Sequence, residues 1–426
     1  MHLYNKAITS IIWDDIERFC GQSIAENTYL EYKGDFPNDL AKTIAAMANT
    51  LGGLILIGVE ELDSGTPKLP LKGIAAERGL EEKVLNIILD SMSPPIIPEI
   101  ATCANSGGDK VIVLVRVPQS EHAPHALHRN SAVYIRTGKR TKPEDLADLD
   151  RIDWLSGRRK KSEDLREWIF NRACVRFRDM RDGKVGGVPA TDEGAWGPME
   201  EQPGLLTIAL SPIYPDRTLV QPSKLDAVRR AILVRDYMRT GQEFPLQESG
   251  CIARMVEDGY VMHFSGEGGL RTYHTHLNMH GLFFFRQSLL YELRRTKENE
   301  EDDPGGNARI VIRAYEIVAR LYEVIESGAK FYKEIGYWGP LKFRLRLEGL
   351  LGIPLLMPEL EGGRVCNFER FSTDHQIDTA HFVQSSRLTD DLHEAVLPLF
   401  ERVGWAFNSH VDLESLKTLY TDMKRR

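Results

Sequence analysis

The chain has 426 residues, of which 42% are hydrophobic and 27% are charged, and its formal net charge is −8. This length predicts two or three domains with substantial cores. The acidic balance excludes a general attraction to nucleic acid, so such binding would need a local basic surface. Five dispersed cysteines argue against a disulfide framework and a cysteine-rich zinc site, and they predict a reducing, cytoplasmic location. No apolar run approaches the ~18 residues that span a membrane, so no membrane partner is expected, and we see no secretory signal.

Residues 1–150 predict one α/β domain with a mixed sheet. Leu40, Ile44 and Met47 share one helical face, and Asn38 is the expected N-cap. Gly52-Gly53 ends this helix. The predicted strands span residues 30–33, 54–59, 111–117 and 133–136, and further helices are predicted over 11–19 and 80–92. The run 54–59 is apolar throughout, which predicts burial on both faces of a sheet, and 111–117 is predicted to be another buried strand.

Residues 151–204 are predicted to be a basic helical linker followed by a loop that begins near residue 185. Between residues 151 and 184 there are eleven Lys or Arg against six Asp or Glu. A solvated helix face is favoured over a binding patch for this segment.

Residues 205–426 predict a second domain of α+β character with a regulatory, sensor or oligomerisation role. The predicted strands span residues 205–210, 259–264, 272–286 and 342–347. Helices are predicted over 224–238 and 311–325. The fold class of the whole chain is therefore α/β (α+β).

The residues that point to chemistry lie near the N-terminus. Glu31 and Lys33 fall on one face of a strand, with Glu26 just upstream. Glu60 and Glu61 follow the apolar strand. Carboxylates that converge beside a lysine suit a metal-assisted phosphodiester cleavage, because hard oxygen ligands hold Mg²⁺ or Mn²⁺. A Glu-x-Lys pair alone is more often a surface ion pair.

Three motifs give this set a wider context. They are Leu-Glu31-Tyr-Lys33, the block from Ala46 to Glu61 that contains Asn-Thr-Leu-Gly-Gly, and Tyr-Ile-Arg136-Thr-Gly. Together they resemble the Schlafen-type AlbA_2 domain, also described as a DNA-binding or divergent ATP-binding domain, over residues 1–150.

The resemblance implies a metal-dependent endoribonuclease that cuts structured, tRNA-like RNA. Glu26, Glu31 and Glu61 would bind the metal, and Lys33 would assist at the phosphate. The family usually has Asp at the third position, so Glu60 and Asp63 are alternatives to Glu61 there. A toxin or antiphage role follows by analogy. Only one of the two lobes of animal Schlafen cores is visible, which suggests a homodimer or higher oligomer.

Arg136, Lys139 and Arg140 surround a glycine and are expected to contact nucleic-acid phosphates. The run from Thr137 to Thr141 looks superficially like a P-loop. Its upstream glycine would fall at Val133, so a Walker-type ATP site is not supported.

Other polar and glycine residues have plainer interpretations. Asn49 is expected to cap its own helix end, and the two following glycines to permit a tight connection. His274, His276 and His280 could form a metal site on a strand, but half-buried polar histidines are the favoured interpretation.

Two rival hypotheses stand beside the nuclease. One is a non-catalytic nucleic-acid-binding transcriptional regulator, in which the acids form structural ion pairs. The other is a nucleotide-binding signalling protein whose C-terminal domain senses a ligand. The distances between the carboxyl groups of Glu26, Glu31 and Glu61 distinguish the regulator from the nuclease, because a shared metal requires these groups to lie close together.

Overall fold

The computed structural model describes most of the chain. The described residues are 3, 6–120, 122–137, 144–184, 204–213, 215, 218–238, 242–245, 251–265, 272–293, 309–337, 339–361, 364–385, 387–390 and 392–425. The chain divides into two compact units. Unit 1 comprises Met1–Asp164 and Trp338–Pro340, and unit 2 comprises Leu165–Tyr337 and Leu341–Arg426. Boundaries at residues 150 and 204 stay predictions.

Unit 1 combines helices with two small sheets. Its elements in order are α1 Trp13–Cys20, β1 Leu30–Lys33, α2 Leu40–Asn49, β2 Gly53–Ile57, β3 Ile74–Ala75, α3 Leu80–Ser91, β4 Met92–Ser93, β5 Glu99–Ala104, β6 Lys110–Val117, β7 Ala126–Leu127, β8 Ala132–Arg136 and β9 Glu144–Leu146; the helix α4 Leu149–Arg181 follows and continues into unit 2. The larger sheet has the order β1-β2-β6-β3, with β5 also paired to β6. β1 and β2 are parallel, whereas β2 and β6 are antiparallel. The second sheet has the order β4-β7-β8-β9.

The central strands of the larger sheet are buried on both faces. Ile55 and Ile57 of β2 pack with α2 and α3, while Leu54 and Leu56 pack with residues of α1. Alternate side chains of a strand point to opposite faces, so a strand with helices on both sides must be apolar throughout. The burial of β2, and of β6 after its first residue, confirms the prediction for both strands.

The turn between α2 and β2 requires glycine at residue 52. Gly52 has φ +73°, and a Cβ atom there would lie 2.6 Å from the carbonyl oxygen of Val117. Its N–H donates to the carbonyl of Met47 at 2.8 Å, which closes the helix end. The turn directs the chain from α2 straight into the central strand, as predicted.

Unit 2 contains the C-terminal part of α4 and the remaining elements. These are β10 Leu205–Pro212, α5 Leu225–Ala231, β11 Val234–Arg235, β12 Glu243–Phe244, β13 Ile252–Val256, β14 Gly259–Ser265, β15 Thr272–Asn278, β16 Phe283–Ser288, β17 Tyr291–Leu293, β18 Arg309–Arg313, α6 Ala314–Glu334, β19 Pro340–Glu348, β20 Leu355–Glu361, β21 Arg364–Arg370, β22 Gln376–Gln384, α7 Arg387–Asp390, α8 Leu392–Ala406 and α9 Leu413–Arg425. Its main sheet has the order β13-β14-β15-β16-β10-β19-β22. A second sheet has the order β17-β18-β20-β21.

The main sheet of unit 2 is covered on both sides. Phe283 and Phe285 belong to a large core built with α6, α8 and α9. Phe284, which points the other way, packs with Phe170 and Ala173 of α4. The helix and strand content confirms the predicted α+β class.

Several predicted elements differ in extent. The helix predicted over 224–238 ends at Ala231 and gives way to β11, and the run 272–286 forms two strands separated by a turn with Gly281 at φ +90°. Val311 lies in β18, because α6 begins only at Ala314. The N-cap of α2 is Asp39 rather than Asn38. The loop that is predicted to begin near residue 185 and to end at residue 204 lies outside the described residues except for Gly204.

Candidate functional site

A buried ion pair between Glu31 and Arg136 lies at the centre of the site. Arg136 Nη1 donates to Glu31 Oε2 at 2.7 Å, and the two side chains are 1% and 2% exposed. The same nitrogen reaches Glu144 Oε1 at 3.2 Å, and Nη2 donates to the carbonyl of Asn27 at 2.6 Å. One guanidinium therefore contacts two buried carboxylates and fixes the turn that precedes β1.

The end of α2 places Arg136 there. Asn49 Nδ2 donates to the carbonyls of Tyr134 at 2.9 Å and His125 at 3.0 Å, and Asn49 Oδ1 accepts from the N–H of His125 at 2.8 Å. The N–H of Arg136 donates to Thr50 Oγ1 at 2.8 Å. Asn49 is thus structural, as predicted, but it binds distant loops rather than capping its own helix.

Lys33 lies beside Glu31, as the spacing on one strand face predicts. Its Nζ is 2.5 Å from Glu31 Oε1, so both carboxylate oxygens of Glu31 have a cationic partner. Burial lowers the pKa of Lys33, but Glu31, followed by Glu26 and Asp39, outweighs burial and raises it overall. Lys33 therefore stays charged at neutral pH.

Glu26 joins this group through the backbone of β1. Its Oε1 accepts from the N–H of Tyr32 at 2.7 Å. Burial raises the pKa of Glu26 to about 8, and repulsion from Glu31 and then Glu61 adds to this, while the Tyr32 N–H and Lys33 oppose it. Glu26 thus holds a proton at neutral pH, first because it is buried and then because its neighbours are also acidic.

The exposed Glu61 approaches from a loop that follows β2. Glu61 pairs with Pro67 in an isolated bridge, and the N–H of Glu26 donates to the carbonyl of Gly65 at 2.8 Å. Glu60 instead pairs with Lys72 at 3.0 Å and Lys68 at 3.2 Å. Of these two acids, Glu61 is the one that adds to the repulsion of Glu31 on Glu26, and the identity of the third acid stays a prediction.

The side chains as arranged do not form a metal-ligand set. Both oxygens of Glu31 are engaged by Lys33 and Arg136. Across the described part of the chain, no three His, Cys, Asp or Glu side chains are grouped so that they could hold a metal ion. Glu26, Glu31 and Glu61 share one electrostatic environment without a shared ligand geometry.

The predicted phosphate-binding residues fall into two groups. Arg136 is buried and pairs inside the domain. Lys139 and Arg140 lie outside the described residues. The binding of nucleic acid by Arg136, Lys139 and Arg140 stays a prediction.

The basic residues of α4 make contacts within their own units. Arg158 donates to the carbonyls of Asn49 at 2.7 Å and Ser120 at 3.0 Å in unit 1. In unit 2, Arg176 is 2.7 Å from Asp258, and Arg172 is 2.5 Å from Glu257. These arginines serve internal hydrogen bonds and ion pairs, rather than only a solvated face.

The histidines of unit 2 are buried polar residues. His274 Nδ1 lies 3.3 Å from His263 Nδ1, and His276 Nε2 lies 3.6 Å from Asp258. Burial lowers the pKa of all three histidines, that of His263 to about 4. His280 lies in the turn after β15, where its N–H donates to Asn278 Oδ1 at 2.7 Å. His274 and His276 are therefore polar residues that are fully buried rather than half-buried.

Sequence reasoning missed Glu144, Thr43 and Lys42. Thr43 Oγ1 donates to Glu144 Oε1 at 2.9 Å, and Lys42 Nζ lies 3.7 Å from Glu144 Oε2. Glu144 is eight positions after Arg136, which places it on the neighbouring strand β9 opposite Arg136. The register of β8 with β9 is the signal from which the contact between Glu144 and Arg136 could have been predicted.

The fold and site define an α+β protein whose first unit carries a buried, cross-linked charge network next to acidic residues. Residues 26–145 match the family model described as Schlafen, AlbA_2. The chain therefore contains a Schlafen AlbA_2 domain, which associates unit 1 with a nucleic-acid-related function. Three charged residues of the site, Glu31, Lys33 and Arg136, lie in the motifs that carry the resemblance.

Two solved structures show weaker similarity. One is the N-terminal domain of a Nitrosomonas europaea protein described as related to the ATP-dependent DNA helicase RecG. It is 19% identical, with 29% of this chain and 88% of that chain covered and a TM-score of 0.24. The other is the DIP2311 protein from Corynebacterium diphtheriae, 12% identical, with 96% and 79% covered and a TM-score of 0.23. Both scores are too low to define a common fold. No curated protein matches the chain. Along the described residues, none of the helices combines the length and apolar character that crossing a bilayer requires.

Proposed function

We propose that unit 1 is a Schlafen-type endoribonuclease that cuts structured, tRNA-like RNA with the help of Mg²⁺ or Mn²⁺. The observation that carries the proposal is the grouping of two carboxylates and an ammonium at β1, where Lys33 Nζ lies 2.5 Å from Glu31 Oε1 and Glu26 Oε1 accepts from the N–H of Tyr32 at 2.7 Å. Burial, followed by Glu31 and Glu61, raises the pKa of Glu26 to about 8. Acids that repel one another at a partly exposed edge are typical of sites that act on phosphate or bind a cation.

Lys33, Glu26 and Arg136 have separate roles in the proposed cleavage. Lys33, held by Glu31 at 2.5 Å, stabilises the negative charge that develops on phosphate. Glu26, once ionised, accepts a proton from the attacking nucleophile, as a carboxylate with a pKa near neutrality does well. Arg136 holds Glu31 in place. A bound divalent cation would supply Lewis-acid polarisation of the phosphate, and binding it would require Glu31 to exchange one of its present partners.

A second candidate is a non-catalytic nucleic-acid-binding regulator. The observation that favours it is the complete pairing of Glu31 by Lys33 and Arg136 in the domain interior. In that case the acids maintain the fold of unit 1, and the protein binds nucleic acid without cutting it.

The test incubates the full chain with tRNA, rRNA and DNA in Mg²⁺, Mn²⁺ or EDTA. Glu26→Gln and Glu61→Ala are the site variants. Glu60→Gln is the matched control, because it is adjacent in sequence but pairs with Lys68 and Lys72. We expect metal-dependent RNA cleavage that both site variants lose and the control retains.

Each other outcome has a clear meaning. Cleavage that persists in both site variants contradicts the assigned residues. Tight RNA or DNA binding without cleavage under any metal condition establishes the regulator instead. Cleavage in EDTA at the same rate removes the metal from the proposal.

A further inference from the structure

The buried position of Arg136 leaves Lys33 as the partly accessible cation of the motifs beside the acids. Lys33 is paired with Glu31 at 2.5 Å, and Arg136 is 1% exposed. A second cation of this network is as exposed as Lys33: it is Lys42, at the start of α2. Its side chain is 27% exposed, and its Nζ lies 3.7 Å from Glu144 Oε2.

The position of Lys42 is fixed by its surroundings. The Lys42 ammonium lies 5.0 Å from the centre of the Tyr134 ring, within the range of a cation–π contact. The carboxylate below it belongs to Glu144, which is 8% exposed and accepts from Thr43 at 2.9 Å and Arg136 at 3.2 Å. Glu144 cannot turn away without breaking these bonds.

An unbroken series of contacts joins Lys42 to the acidic residues. It runs from Lys42 to Glu144 at 3.7 Å, from Glu144 to Arg136 at 3.2 Å, and from Arg136 to Glu31 at 2.7 Å. Including Lys33, the network holds three cations and two carboxylates. Lys42 is therefore joined through direct contacts to the carboxylate that also pairs with Lys33.

We propose that Lys42 binds a backbone phosphate of RNA next to the acidic residues, with the Tyr134 ring holding its ammonium in position. The inference rests on the proposed binding of nucleic acid by unit 1, but not on cleavage. The Lys42–Glu144 contact is long for an ion pair, so a phosphate oxygen can take the outward side of the ammonium without displacing Glu144.

The experiment measures binding of a fluorescently labelled tRNA by the full chain in EDTA over a series of salt concentrations. We expect Lys42→Gln to weaken binding several-fold. The logarithm of the tRNA association constant falls linearly with the logarithm of the salt concentration. The slope of this line should become about one unit shallower, because one phosphate contact is lost. Lys42→Arg should restore both values.

Lys83→Gln is the matched control. Lys83 also lies over an aromatic ring, 4.3 Å from the centre of Phe36, but it contacts no member of the network described above. Lys42→Met, which keeps the aliphatic stem, is the second neutral variant. Tyr134→Leu should weaken binding and Tyr134→Phe should not. Urea unfolding of every variant checks that unit 1 is folded.

An unchanged salt slope in folded Lys42→Gln or Lys42→Met overturns the proposal, as does an equal loss in Lys83→Gln. Absence of tRNA binding by the unmodified chain overturns it together with the proposed function. If the salt slope changes as expected but the unmodified chain cleaves no RNA with any metal, the result supports phosphate binding by Lys42 and contradicts only the proposed nuclease activity.

Discussion

Arg136 Nη1 donates to Glu31 Oε2 at 2.7 Å in the interior of unit 1, and neither side chain is more than 2% exposed. The pair joins two motifs that lie about a hundred residues apart in sequence. Glu31 thus has two functions that compete for its oxygens: it neutralises Arg136 in the fold, and it is a candidate ligand or anchor in the site.

Removing Arg136 should be strongly destabilising. Arg136→Met leaves Glu31 and Glu144 buried with weaker compensation, so we expect a loss of about 3 kcal/mol in the free energy of unfolding. The double variant Glu31→Gln/Arg136→Met should lose less than the sum of the single losses, because it removes the uncompensated charge as well. Urea unfolding followed by circular dichroism measures all three values. Additive losses would show that the two side chains do not interact.

Glu26 should make the protein less stable as pH rises. Its pKa is about 8 in the folded chain against an ordinary value of 4.5. Between these values the folded state holds a proton that the unfolded state has released, so stability falls from about pH 4.5 to about pH 8 and is then constant. Glu26→Gln, which imitates the protonated acid, should flatten this part of the stability curve. A variant with the original pH dependence would contradict the assignment.

The pKa of Glu26 should respond to Glu61 and not to Glu60. Glu61→Gln removes one of the two carboxylates that repel Glu26, so the pKa of Glu26 should fall. Glu60 is neutralised by Lys68 and Lys72, so Glu60→Gln should leave the pKa unchanged. Carbon-detected NMR titration of the Glu26 carboxyl measures both shifts. Equal shifts in the two variants would mean that the loop places the acids differently.

Gly52 should tolerate alanine poorly because of a contact as well as its backbone conformation. The new Cβ would meet the Val117 carbonyl at 2.6 Å. Gly108 has nearly the same φ, +72°, with no atom within 4 Å, so Gly108→Ala reports the cost of the conformation alone, about 1–2 kcal/mol. We expect Gly52→Ala to cost clearly more than Gly108→Ala in thermal unfolding. Equal costs would show that the strand end moves to accommodate the methyl group.

His263 should contribute to acid sensitivity. Its pKa is lowered to about 4, by burial and then by Arg181, from an ordinary 6.5. Below pH 6.5 the unfolded state binds a proton at His263, whereas the folded state binds it only near pH 4. Stability is therefore lost as pH falls from 6.5 towards 4. His263→Gln should reduce this loss, and His280→Gln, in the turn after β15, is the control. The free energy of unfolding in urea at pH 4.5 and 7 checks the difference.

The site could be predicted in part. The Glu31-x-Lys33 spacing placed those two side chains on one strand face, and the motif resemblance added Glu26 and Glu61. Local spacing cannot give the state of these groups, because that depends on burial and on partners from elsewhere. Glu144 and Lys42 were missed for this reason: neither belongs to a motif, and only the pairing of β8 with β9 and the packing of α2 bring them to Arg136.

Local sequence was enough to predict the buried strands, the glycine turn before β2 and the AlbA_2 domain of unit 1, because each depends on residues that are neighbours along the chain. The tertiary structure decided that Arg136 is an internal cation, that Asn49 holds distant loops rather than its own helix, and that Glu26 carries a proton. Those properties arise from charges and carbonyl groups that are far apart in sequence and meet only when the chain folds.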